Sequence, residues 1–145
     1  MTTLWTIGYE KLSPQSLAAE LAAAGVRRVL DVRLRPQSRK PGMSKTKLGL
    51  LLGDRGIAYE HRRALGTPLE IRGLYRSGHL EEAAAAYRAH VEAHASAELD
   101  ALAAELDAGP PTALLCLEAE PRGCHRRVVA EALTERRPRL RVIDL

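Results

Sequence analysis

Phenylalanine is absent from this 145-residue chain, tryptophan occurs once and cysteine twice. No run of about 18 apolar residues exists, so a membrane-spanning helix is not expected. Two cysteines cannot build the disulfide framework of a small secreted domain. Both thiols are therefore read as free, with a reducing cytoplasm as the expected location. The opening residues Met1-Thr-Thr-Leu-Trp-Thr-Ile lack a basic region followed by an apolar stretch, and no secretory signal is expected. Aromatic residues make up only 3% of the chain, too few to interleave with the basic residues as a base-stacking surface would require.

What is present is an ordinary globular balance, 46% hydrophobic and 28% charged. The length suits one domain over residues 1–145. The net charge of +4 hides an asymmetry. Arg27, Arg28, Arg33, Arg35, Arg39, Lys40, Lys45 and Lys47 crowd one segment with Asp31 as the sole acid, whereas the stretch from Glu81 to Asp107 is acidic apart from Arg88. The basic segment suits either an anionic partner or a solvated face. The alanine-rich acidic helices offer a face for a homodimer.

Strand and helix patterns alternate along the chain. Leu4–Tyr9 reads as a strand ending at Gly8. Ser13-Pro14 places an N-cap and a first-turn proline ahead of a helix that Gly25 stops. Val26–Val32 is a second strand, and Ser44 is expected to cap a short helix. Ile57–His61 is a third strand. Gly66, Pro68, Gly73 and Gly78 make the stretch from Ala64 to Gly78 read as mobile loop or broken helix. His79–His94 and Ser96–Ala108 read as one or two alanine-rich helices that end at Gly109-Pro110-Pro111. A buried strand begins at Ala113, a helix at Cys124, and Leu140–Leu145 is the last strand. The alternation predicts an α/β fold: a single doubly wound, mainly parallel five-stranded sheet with helices on both faces and strand order 3-2-1-4-5. The loops after strands one, two and four would then converge at the switch point, where such sheets bind ligands.

Those loops carry the candidate site. Asp31, Arg33, Arg35, Ser38 and Arg39 leave strand two, where the arginines could fork onto phosphate oxygens and Asp31 could orient one of them. Tyr9 and Tyr59 are candidates to stack on a ligand ring. Glu118 stands at the carboxyl end of strand four, and Cys124, His125 and Arg126 are expected on the first turn of the next helix. There the helix dipole would favour a thiolate. Glu118, Cys124 and His125 are the candidate catalytic residues, and Arg126 joins the ligand-binding set. Cys124 and Arg126 are too close together for the loop of a cysteine phosphatase or a rhodanese. A zinc site from Cys116, Cys124 and His125 is weak, because adjacent Cys and His rarely point at one ion, so no metal is expected. No cofactor follows from these residues.

Taken together, Thr6-Ile-Gly-Tyr-Glu10, Asp31-Val-Arg33 with Pro36-x-Ser-Arg39, Ile57-x-Tyr59, Leu65-Gly66, and Leu114-Leu-Cys-x-Glu118 with Pro121-x-x-Cys-His-Arg126 resemble domain-of-unknown-function family 488. The resemblance runs along nearly the whole chain, with Thr67-Pro68 where the family often has a second glycine. It implies a small prokaryotic α/β protein and brings no activity with it. The residues favour a crevice for a phosphate-bearing ligand, a nucleotide or a nucleic-acid end, with or without catalysis. The alternative is a non-catalytic nucleic-acid-binding module.

Overall fold

A computed structural model describes residues 2–145. Its strands are β1 (Thr3–Gly8), β2 (Arg28–Asp31), β3 (Ala58–His61), β4 (Thr112–Cys116) and β5 (Arg141–Asp144). Its helices are α1 (Pro14–Ala23), α2 (Lys45–Asp54), α3 (Leu69–Arg76), α4 (Leu80–His94), α5 (Ser96–Ala108) and α6 (Arg126–Arg136). All strand pairs are parallel. No helix is long and apolar enough to cross a membrane among the described residues.

The local signals act as their chemistry dictates. The Ser13 hydroxyl accepts from the Ser16 amide at 3.0 Å, Pro14 opens α1, and Gly25 turns out of it at φ 85°. Ser44 holds the N-cap position of α2 without capping it. Its hydroxyl instead accepts from the Ser38 amide at 3.0 Å and closes the loop after β2.

The sheet is the expected parallel five-stranded one, with one exchange. The order is β3-β2-β4-β1-β5, so β4 lies between β2 and β1 where the sequence predicts β1. Burial agrees with this order. Every residue of β2 and β4 is buried, whereas Thr3 and Trp5 of β1 are only half-buried and β5 is largely exposed. The strands with the least solvent exposure take the centre. The pairing of β1 with β4 survives, with Gly8 opposite Cys116.

Successive residues of β4 face opposite cores. Ala113 and Leu115 pack with Leu17, Leu21, Leu48 and Leu52 of α1 and α2. Leu114 and Cys116 pack with α3 through α6, including Tyr87, Leu102 and Val129. The connections after β1 and β4 leave toward opposite faces, and a crevice opens between these two strands.

The segment from Ala64 to Gly78 takes the broken-helix form of its prediction and packs into the core. It forms a short 3-10 turn at Arg63–Leu65 and then α3, and it buries Leu65, Thr67, Ile71 and Tyr75. Burial of Ile71 and Tyr75, one turn apart, outweighs the cost of Gly73 within the helix.

An ion-pair network ties the strand ends to α5. Arg62 donates to Glu60, Glu98 and Glu105, and Arg28 reaches Glu105 at 3.0 Å. The Arg62 guanidinium holds the Glu105 carboxyl below its usual range, against burial, and Arg28 assists. A depressed carboxylate pKa stabilises the fold above the ordinary glutamate value of about 4.3, and the contribution is lost as pH falls through the folded value. Glu105→Gln should therefore lower stability at pH 7 by on the order of 1 kcal/mol, allowing for solvent screening. The gap to wild type should close below about pH 4. Thermal melts across pH check this, and a gap that persists in acid would contradict it.

Candidate functional site

The crevice at the carboxyl ends of β1, β2 and β4 is lined by Tyr9, Arg33, Arg35, Glu118, Cys124 and His125 among others. Its volume is about 50 Å³. A water needs only about 10–15 Å³ of such volume, so the crevice has room for a small anion.

Arg33 is turned inward. Only 6% of it is exposed, and it donates to Asp31 through Nε at 2.9 Å and Nη2 at 2.7 Å. Nη1 donates to the Met43 carbonyl at 2.8 Å and to the Tyr9 hydroxyl at 3.2 Å. Burial opposes its charge, but the hydrogen bonds and charge of Asp31 outweigh that, and its pKa is raised. Asp31 is fully buried behind it and also accepts from the Tyr59 hydroxyl. Burial, then Asp31, raises the pKa of Tyr59. Asp31 and Tyr59 thus form a support beneath the crevice rather than part of its lining. His61 Nε2 completes this support at 2.7 Å from the Arg33 carbonyl.

Arg126 is likewise committed to the fold. It is fully buried, and its guanidinium donates to the carbonyls of Glu118 and Ala119. It clamps the loop between β4 and α6 from below, and no acid pairs with it among the described residues. Ser38 serves its own loop, accepting from the Lys40 amide at 3.1 Å. Arg39 is exposed and stands outside the crevice lining.

The thiols and His125 converge. Helix α6 starts at Arg126, with His125 at its N-cap and Cys124 before it in extended conformation. Cys124 is therefore not on the first helical turn, as the sequence suggests. The switch from an extended Cys124 (φ −140°, ψ 146°) to a helical His125 (φ −66°, ψ −15°) turns two neighbouring side chains toward one point. His125 Nδ1 lies 3.8 Å from Cys124 Sγ and 3.9 Å from Cys116 Sγ. The geometric reason for discounting a shared ligand point does not hold here. His125 Nε2 is 2.7 Å from the Val32 carbonyl, and the Tyr87 ring meets the imidazole edge-on with centroids 5.0 Å apart. Cys116 Sγ donates to Glu118 at 3.6 Å. Burial pushes the Cys124 thiol well above its usual range, and Cys116 adds to the shift while His125 opposes it. The helix dipole does not make it a ready thiolate.

Thr67, Arg72 and Tyr75 also line the crevice and are not among the site residues expected from the sequence. Arg72 is half-buried with no side-chain partner among the described residues, and Arg35 is exposed and equally unpaired. The Tyr75 hydroxyl is buried without a protein partner. The helical spacing of Ile71, Arg72 and Tyr75 was the available signal, hidden by the neighbouring glycines.

The family model for Domain of unknown function DUF488 matches residues 13–133. The chain belongs to that family. No curated protein and no solved structure matches this DUF488 chain significantly. The match spans the Asp31–Arg39 and Cys116–Arg126 motifs and assigns no reaction to them.

Proposed function

We propose that the crevice binds the terminal phosphate, or an anionic group of similar size, of a larger ligand whose remainder lies outside. The observation that carries this reading is the pair Arg35 and Arg72, two guanidinium groups bordering one crevice with no acid partner among the described residues. The buried charge of Arg126, which also lacks a counter-charge there, adds to the positive field. Arg33 contributes shape rather than free charge, since Asp31 neutralises it. Glu118, half-buried at the rim, is the carboxylate placed to take a proton from a bound group.

Hydrogen bonds to charged groups contribute about 1.5–3 kcal/mol each. Arg72→Ala and Arg35→Ala should therefore each weaken binding of phosphate or a phosphomonoester roughly ten- to hundredfold, with little change in melting temperature. Amide chemical-shift titration of the wild type and both variants with phosphate measures this. Unchanged affinity in both variants sinks the reading.

A non-catalytic nucleic-acid-binding module is the second reading, favoured by Arg39, Lys45 and Lys47, which are exposed without ion pairs among the described residues. It requires affinity for oligonucleotides that falls steeply with salt and drops further in a Lys45→Ala, Lys47→Ala double variant.

A further inference from the structure

We propose that Cys116, Cys124 and His125 form a binding site for a zinc-class divalent ion, with two thiolate ligands, one imidazole ligand and a fourth position open to the crevice. Their three donor atoms lie within 4.8 Å of one another, all buried. Zinc holds sulfur at about 2.3 Å and nitrogen at about 2.0–2.1 Å, so tetrahedral donors sit roughly 3.5–3.8 Å apart. The sulfur-to-Nδ1 separations of 3.8 and 3.9 Å are within a small contraction of that geometry.

The surroundings prepare each donor. A carbonyl only accepts, so the contact to Val32 puts the proton of the neutral imidazole on Nε2. Nδ1 then turns its lone pair toward the two sulfurs. Orienting a ligand histidine through its other nitrogen is a common support for metal sites. The Tyr87 ring fixes the imidazole plane. The Arg126 amide lies 3.5 Å from Cys124 Sγ and can donate to the thiolate a metal requires.

An independent observation points to an occupant. The buried Tyr75 hydroxyl borders the same crevice and has no protein partner. A water or anion on the fourth position of the ion would supply one. Two cysteines that served only to fill space would need neither an imidazole lone pair between them nor an unpaired hydroxyl beside them. Three protein ligands with one open position is the arrangement of ions that act on a bound group, not of closed structural sites.

The ion would lie on the floor of the crevice and the arginines at its rim, so the two readings fail separately. The anion reading depends on Arg35 and Arg72, whereas the ion depends on the sulfurs. The test uses the full chain, reduced with a phosphine, stripped with a chelator and titrated with Co²⁺. The expected result is saturation at one ion per chain, a near-ultraviolet sulfur-to-cobalt charge-transfer band, visible bands of tetrahedral intensity, and displacement by Zn²⁺. Cys116→Ser and Cys124→Ser should each reduce the charge-transfer band to about half or less and weaken binding by about 100-fold or more. Circular dichroism of the metal-free variants establishes that they are folded. If either variant does not fold, the wild type still decides the matter, because Zn²⁺ should slow modification of both thiols by an aromatic disulfide reagent. Absence of cobalt uptake, a weak octahedral spectrum, or spectra unchanged in the serine variants overturns the proposal. So does rapid closure of a Cys116–Cys124 disulfide that Zn²⁺ does not slow.

Discussion

Asp31→Asn should be among the most destabilising substitutions in this protein, lowering stability by about 3–5 kcal/mol. The change is nearly isosteric, so it opens no cavity. It removes the negative charge that faces Arg33, and both residues are almost completely buried. The guanidinium is held by Met43 and Tyr9 with little exposure to water. An unpaired buried charge costs far more than a surface pair contributes. Domains of this size have about 5–15 kcal/mol in total, so the variant should be close to marginal. Its melting temperature should fall by roughly 10 °C or more. The reciprocal change isolates the cause. With Arg33→Met added, the charge left behind disappears, and the double variant should recover part of the loss. A chemical-denaturation cycle over the four proteins measures this coupling. Additive effects of the two substitutions would show that the pair is not the source.

That pair marks the boundary of what the sequence makes legible. Asp31 and Arg33 are two apart at a strand end and share a face, so their pairing follows from strand geometry. Whether the guanidinium then points inward or to solvent depends on Met43 and Tyr9, which arrive from other parts of the chain. Arg126 hides its role in the same way, because its acceptors are backbone carbonyls and no residue type advertises them. The alternation of strands and helices is readable because Ser13-Pro14, Gly25 and Gly109-Pro110-Pro111 act locally. Strand order depends on which strands are buried at both edges, a property of the assembled sheet. The convergence of Cys116, Cys124 and His125 depends on where α6 begins, and a shift of two residues decides it.

Gly8→Ala should be the second large effect, and it would act on the crevice through the backbone alone. Gly8 does not adopt a positive φ, so alanine is conformationally acceptable there. Space is the obstacle. A Cβ at this position would stand 1.7 Å from the Glu118 carbonyl oxygen and 2.4 Å from its carbon. That carbonyl cannot retreat cheaply, because Arg126 holds it and the Ala119 amide is tied to Glu10 at 3.0 Å. Overpacking of a well-filled site typically costs 1–3 kcal/mol, and a backbone obstruction of this severity should cost about 3 kcal/mol or more. The displaced segment contains Glu118 and leads to Cys124, so the damage should not be confined to stability. Both thiols should become reactive toward an alkylating reagent at temperatures where the rest of the fold persists. Gly73→Ala is the matched control: it lies within α3 and a Cβ there meets nothing within 4 Å. Helix propensity predicts that it gains about 0.5–1 kcal/mol. If Gly8→Ala melts like Gly73→Ala and its thiols stay protected, the close passage of β1 beneath the Glu118 carbonyl does not hold the crevice together.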